Sequence, residues 1–420
     1  VNYNKLIMKS LKTIAEPILI FIFVLVVFYF AGINNIEFHG DESQWIATSI
    51  VFEVFLSGDF RSSMWEESHW MLTQPHLPRY IIGLGRWFCG IDESELNPAY
   101  DWSVDYETNK ERGNLPSPQL LRCSRFPMEI LAAISICIVF FLLKRMGGYF
   151  PALVWLILIL FSNYFPLMLG RAMGESSLLA SITLLMLMSY LLLEETVNSV
   201  NPIKIFSYIF LFGLGVGLAG SSKLNGFSLL AGGFLLSIVI AHRINISTKS
   251  KIKFIFISNL IFVFSALAIW ITINPFLWPS PFSRTLKMFN YRVMEMTNQV
   301  ELFPLYRIKG ILPRIKVLIK RIFQNYASIR FKGSWIINLF LFSVGFISLL
   351  VKSIKDIKVE KSNHTFIVIF IIGLTSSLPA LITPLDWDRY YLFPIYFTTI
   401  GIAIGIWKIF TFFRVSLKVF

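Results

Sequence analysis

Near the start of the chain, Glu37-Phe38-His39-Gly40-Asp41-Glu42-Ser43 places two adjacent carboxylates just after the first hydrophobic segment. A charge so close to a membrane boundary is costly unless it is solvated or used. A carboxylate there can take the proton of a hydroxyl as that hydroxyl attacks an electrophilic carbon. Acids also cap helix starts well, so the pair alone reads first as the beginning of the next helix. More ionisable residues extend the set. They are His76 and Arg79 in Gln74-Pro75-His76-Leu77-Pro78-Arg79-Tyr80, and Arg171 and Glu175 in Gly170-Arg171-Ala172-Met173-Gly174-Glu175. Lys223 follows, and then Arg389 and Tyr390 in Asp386-Trp387-Asp388-Arg389-Tyr390. Singly, Lys223 reads as a snorkelling side chain, Arg389 as a helix-end anchor and Glu175 as an acid of a first helical turn. Gathered on one face, they read as a polar cavity. Lys and Arg can hold a phosphate, and the planar fork of Arg can bind it at two points. A phosphate leaving group needs charge stabilisation rather than a general acid. The set therefore suits attack on a sugar whose anomeric carbon carries a lipid phosphate. No Walker-type loop, His-Glu-x-x-His site or Ser nucleophile elbow is present, so the sequence gives no sign of ATP-dependent phosphoryl transfer, a zincin or a serine hydrolase.

The elements that must position these residues are membrane helices. The 420 residues are 55% hydrophobic and 15% charged, with a mean hydropathy of +0.65. A soluble chain of this length carries more charge. Apolar runs of about 20 residues recur, as a spanning helix requires. The expected spans are residues 14–33, 126–143, 150–169, 176–193, 204–221, 226–241, 253–273, 334–351, 365–383 and 390–411, giving an all-α polytopic protein. The net charge of +13 is read as topology signals and headgroup contacts, with no soluble basic domain for nucleic acid. Lys5, Lys9 and Lys12 precede an apolar stretch that lacks a clean cleavage motif, so it is read as an uncleaved first span.

Basic clusters orient the bundle. Lys5, Lys9 and Lys12, then Lys144 and Arg145, then Arg243, Lys249, Lys251 and Lys253, then Lys352, Lys355, Lys358 and Lys361, then Lys408, Arg414 and Lys418, all fall on one side if the spans alternate. The positive-inside rule makes that side cytoplasmic, with both termini inside and the ionisable set outside. The sequons Asn245-Ile246-Ser247 and Asn363-His364-Thr365 then lie inside, where no glycan is added. Two outer loops are long. In the first, about 34–125, residues 43–57 and 78–91 read as interfacial helices and 92–118 as an irregular loop. The second, 274 to about 332, is Pro-rich at its start and becomes basic and amphipathic around Pro313, an outside exception to the orientation rule. Cys89 and Cys123 fall in or beside the first loop, either as a disulfide or as two thiols. No internal repeat and no low-complexity segment is evident.

The ordered set of motifs resembles the GT-C glycosyltransferases, in the branch of the protein O-mannosyltransferases and the lipid A aminoarabinose transferase. The acidic pair of that family matches His39-Gly40-Asp41-Glu42. Its Pro-rich stretch is echoed by Gln74 to Tyr80, with His76 displaced behind the first Pro. Its Arg-x-Pro element matches Arg125-Phe126-Pro127, and its Arg and acid of the third-to-fourth turn match Arg171 and Glu175. A Gly-Leu-x4-Lys-x-x-Gly element matches Gly217 to Gly226 around Lys223. Asn274-Pro275 with Pro279 and Pro281, and Arg389-Tyr390 with Pro394, complete it.

The resemblance covers residues 14–282 best. It divides the chain into a conserved-type module at 1–282 with a catalytic loop at 34–125, an outer amphipathic loop at 283–333, and C-terminal helices at 334–420. It implies transfer of a sugar from a dolichyl- or undecaprenyl-phosphate donor to a glycan, lipid or protein acceptor at the outer face of the plasma or inner membrane. Asp41 is then the base, and Glu42 orients it or the acceptor. Lys223 and Arg389 come together to hold the phosphate with Arg171 assisting, and His76, Arg79, Glu175 and Tyr390 complete the substrate site. Some relatives bind a divalent metal between an acid and a His. His39, His69, His76, Glu66 and Glu67 are the available ligands, their spacing selects none, and no cofactor is assigned. The competing reading is a carrier or flippase for lipid-linked saccharides. Transporters tend to have repeats and charges near the midplane, whereas here the charges sit at one interface. A non-catalytic assembly subunit is the third reading, and it requires a dispensable acidic pair.

Overall fold

The computed structural model describes residues 3–28, 30, 35–198, 201–244, 247–358 and 364–416. Asn245, Ile246, Asn363, Lys361, Lys418 and the expected end of the first span at Ala31–Ile33 lie outside the described residues. Every named element is a helix. The membrane-type helices are α1 Tyr3–Phe28, then α4 Pro118–Gly147, α5 Tyr149–Leu160, α6 Gly174–Asn198, α7 Pro202–Ser222, α8 Leu229–Arg243, α9 Thr248–Thr272, α12 Ser334–Lys358, α13 Thr365–Ser377 and α14 Leu392–Ser416. Between α1 and α4 lie α2 Gly40–Ala47 and α3 Leu77–Phe88, and between α9 and α12 lie α10 Pro281–Leu302 and α11 Ile311–Lys320. Among the described residues eight helices are long and apolar enough to cross a membrane, and Ala15–Phe28 and Tyr149–Leu160 are shorter apolar helices. All ten expected spans thus have a helix.

The differences from the sequence reading are local. The span expected at 150–169 is α5 followed by a separate helix at Tyr164–Leu169. Hydropathy runs straight through Phe161-Ser162-Asn163, where the backbone breaks. The helix α4 begins at Pro118, well before Phe126, with Ser117 accepting from the Leu120 N–H as its cap. The expected interfacial helix at 43–57 starts at Gly40 and runs on as Thr48–Ile50 and Val51–Leu56. The loop expected at 92–118 contains the short helix Tyr106–Glu111, and the second long loop, 274 to about 332, contains the 22-residue helix α10.

In the bundle α7 packs along α9 and α6, α6 along α4, and α12 along α14. Small residues allow these approaches, as membrane helices require. Gly213 and Gly217 of α7 meet the backbone of α9 at Phe262 and Ala266. Gly401 and Gly405 of α14 meet Gly345 and Leu341 of α12. On the face carrying α2 and α3, a disulfide joins Cys89 to Cys123 and ties the end of α3 to α4. At the other end of α4, Lys144 donates to Glu16 of α1 at 2.5 Å. Labelling tests the orientation. Ser103→Cys should react with an impermeant maleimide in intact cells, and Lys355→Cys only after permeabilisation. Both positions are exposed, whereas Ser353 is buried. The reverse pattern refutes the orientation.

Candidate active site

The site is built on the start of α2. His39 is the residue before the helix, and its Nδ1 accepts from the Asp41 N–H at 3.2 Å. That bond needs a neutral imidazole. Burial, with Arg389 and Arg171 nearby, pushes the His39 imidazole down to about 3. Gly40 opens the helix because Trp102 and Tyr100 crowd it. A Cβ there would lie 2.8 Å from the Trp102 ring.

The two adjacent acids do different things. Glu42 is fully buried and its oxygens are filled. Oε1 accepts from Arg125 Nε at 2.7 Å and from the Ala172 N–H at 2.9 Å. Oε2 accepts from Arg125 Nη2 at 2.7 Å and from the His39 N–H at 3.1 Å. Arg125 also donates to the Ile36 carbonyl at 3.1 Å. One carboxylate thus caps α2 and joins it to α4 and to the turn before α6. The capping reading holds for Glu42, whose two oxygens are taken up by these donors. Asp41 points elsewhere. Its side chain is 14% exposed, and Oδ2 pairs with Arg389 Nη1. Arg389 lies over the rings of Trp387, at 5.0 Å, and Tyr390, at 5.7 Å.

The remaining cations stand around this pair. Lys223, just beyond α7, pairs with Glu175 in the first turn of α6. Gly174 lets the lysine stem pass, since a Cβ there would meet its Cε at 3.0 Å. Arg171 feels the charges of Glu42, Glu175 and Glu37, and burial lowers its pKa from the usual arginine value. Its described hydrogen bond is a long one, Nη2 to the Glu37 carbonyl at 3.4 Å, and its Nε has no partner. Arg321 donates to Asp386 and Asp388, each at 2.8 Å. The Tyr164 hydroxyl donates to the Asp388 carbonyl at 2.7 Å, and Glu175 and Asp388 both act electrostatically on Tyr164. Two ion pairs, Asp41–Arg389 and Glu175–Lys223, thus flank Arg171, which feels the charge of Glu175 and, with Arg389, acts on His39.

Lys223 pairs with Glu175 and Arg389 with Asp41. His76 and Arg79 are placed differently from the rest, both with no exposed surface. His76 Nδ1 lies 2.7 Å from Asn274 Oδ1, and Arg79 donates to the Trp70 carbonyl at 2.5 Å. They tie α3 to His69–Thr73 and to the segment after α9. Burial, followed by Arg79, lowers His76 to about 3, and burial lowers Arg79 to about 9. Tyr390 accepts from Arg292 of α10 at 3.2 Å. The metal-ligand candidates are dispersed: His69 faces Tyr291 and Glu67 pairs with Lys287. Among the described residues no three His, Cys, Asp or Glu side chains are gathered to hold a metal. Arg125 stood in a motif without being assigned to the site, and Arg321 was read only as part of a basic loop. For Arg125 the available signal was the one that singled out Asp41, a charge at a membrane boundary. Glu129, one turn further along α4, is fully buried with both oxygens unpartnered.

No curated protein matches the chain. Among solved structures, the Archaeoglobus fulgidus oligosaccharyltransferase tethered with an acceptor peptide superposes with a TM-score of 0.52 at 12% identity, over 97% of this chain and 51% of that one. The S. cerevisiae protein O-mannosyltransferase Pmt1-Pmt2 complex bound to the sugar donor gives 0.45 at 14% identity, over 61% of this chain and 33% of that one. The chain spans about half the length of the archaeal enzyme, and at that identity the likeness concerns the fold alone. The family model for dolichyl-phosphate-mannose-protein mannosyltransferase matches residues 42–279. That stretch runs from Glu42 through Arg125, Arg171, Glu175 and Lys223 to the segment after α9, and the chain accordingly belongs to the dolichyl-phosphate-mannose-protein mannosyltransferase family.

Proposed function

We propose that the chain transfers a sugar from a polyprenyl-phosphate carrier to an acceptor hydroxyl on the outer face of the membrane, with Asp41 as base. The observation that carries this reading is the division of labour in the acidic pair. Glu42 is spent on Arg125, while Asp41 is partly open and pairs with Arg389. The acceptor oxygen attacks the anomeric carbon as its proton passes to the Asp41 carboxylate. The bond from that carbon to the phosphate oxygen breaks, and its electron pair leaves on the polyprenyl phosphate. Attack opposite the leaving group inverts the anomeric centre. Glu42 holds Asp41 in place, and residues 1–282 supply most of the machinery, with Arg389 and Tyr390 added from the start of the last span.

The phosphate contacts are reordered from the sequence expectation. Lys223 is neutralised by Glu175 and Arg389 by Asp41, so Arg171 is the cation with most donors to spare. It becomes the first phosphate ligand, with Arg389 and Lys223 behind it. His76 and Arg79 are assigned to holding α3 rather than to the substrate. A charge-assisted hydrogen bond contributes ~1.5–3 kcal/mol. Arg171→Ala should therefore weaken donor binding about 10- to 100-fold and leave the fold intact. Titration of purified protein with a labelled lipid-phosphate sugar checks this, and unchanged donor affinity would remove Arg171 from the site.

A further inference from the structure

The second long loop carries a surface that the catalytic cluster does not use. Residues 303–333 contain eight Lys and Arg and no Asp or Glu. Among the described residues only Arg321 of these eight forms an ion pair. The helix α11 divides into three sides. Val317 and Leu318, with Ile322 just beyond, pack on the core of the bundle. Ile311, Leu312, Ile315 and Ile319 recur three or four residues apart and stay exposed, at 55%, 75%, 38% and 51%. Lys316 and Lys320 flank that exposed stripe, with Lys309 just before the helix, and all three are exposed. Further along the sequence Phe331, and Trp335, Ile336 and Phe340 at the start of α12, are exposed as well, and α12 is long and apolar enough to cross a membrane. An exposed apolar stripe edged by lysines, on a helix followed by a membrane-type helix, describes a helix lying in the membrane interface.

We propose that α11 and its lysines dock on anionic lipid headgroups of the leaflet on the site's face. The apolar stripe enters the acyl boundary, and Lys309, Lys316 and Lys320 reach up to phosphates, which accounts for a basic run on the side where the orientation rule places none. The docked segment is anchored to the last loop. Arg307 bridges to Leu385, the Ile308 N–H donates to the Pro384 carbonyl at 2.8 Å, and Arg321 holds Asp386 and Asp388. An anionic leaflet is thereby held beside the segment that delivers Arg389.

The test uses the purified full chain in neutral detergent with equal amounts of phosphatidylglycerol and phosphatidylcholine, and native mass spectrometry counts the lipids retained. Each lysine near an anionic surface is worth about fivefold. The wild type should retain phosphatidylglycerol at least tenfold over phosphatidylcholine. A Lys309→Gln/Lys316→Gln/Lys320→Gln triple variant should lose most of that preference, and the corresponding Lys→Arg triple should keep it. A wild type without preference, or a Gln triple that retains it, overturns the proposal. So does loss of preference in both triples, which would trace the effect to shape rather than charge. Saturable binding of polyglutamate without any lipid preference would assign the face to an acidic protein instead. None of these readouts depends on sugar transfer.

Discussion

Asp41→Asn is expected to reduce sugar transfer by ~10²–10⁴-fold while donor binding and folding survive. The substitution keeps the size of the side chain and its place in the first turn of α2, whose cap is made by His39 and Glu42. The cost to the fold is small because Asp41 is linked to the rest of the protein through Arg389, and both side chains retain some exposure, 14% and 22%. The loss falls on catalysis, because an amide cannot take the acceptor's proton. Rate and donor affinity should be measured together on the same preparation. A variant transferring near the original rate would make Asp41 another element of the helix start and move the site elsewhere.

The second large effect is on the clamp beneath it. Arg125→Ala is expected to cost ~3–5 kcal/mol, because it leaves the Glu42 carboxylate buried without its principal partner. The pair is almost without exposure, at 2% for Arg125 and 0% for Glu42. Such a pair is weak evidence of net stability, since two well-packed apolar groups can do as well. Breaking it is what costs. The double variant Arg125→Ala/Glu42→Ala should consequently recover part of the loss, as denaturation in detergent of the two single variants and the double would reveal. Simple additivity would mean that the two residues act independently. Activity should be lost in all three, because Glu42 also holds the Ala172 N–H and the turn that presents Arg171.

Much of the architecture was legible because hydrophobic runs of membrane length have few alternative structures. What hydropathy missed was a break without a charge at Phe161-Ser162-Asn163 and a helix, α10, whose exposed apolar residues Phe282, Leu286, Phe289 and Val293 alternate with polar ones in a Pro-rich context. Residue types and the side of the membrane pointed to Asp41, Arg171, Glu175, Lys223 and Arg389, since sign and position are properties of the sequence. Pairing is a property of the fold. Nothing in the spacing says that Lys223 meets Glu175 and not a phosphate, or that Arg389 meets Asp41 across nearly the whole chain. His76 and Arg79 illustrate the converse. They carry polar types in a motif-like stretch, yet buried partners from a distant segment, Asn274 above all, account for His76, and Arg79 is satisfied by the adjoining turn.

The reaction proposed for the cluster around Asp41 moves a sugar off a lipid phosphate. It is tested most directly by incubating purified chain in liposomes with doubly labelled polyprenyl-phosphate sugar and an acceptor mixture, and counting polyprenyl phosphate released against sugar transferred. One phosphate released per sugar transferred is expected in the wild type, and neither in Asp41→Asn. Translocation of the intact lipid-linked sugar across the bilayer with no phosphate released would contradict it.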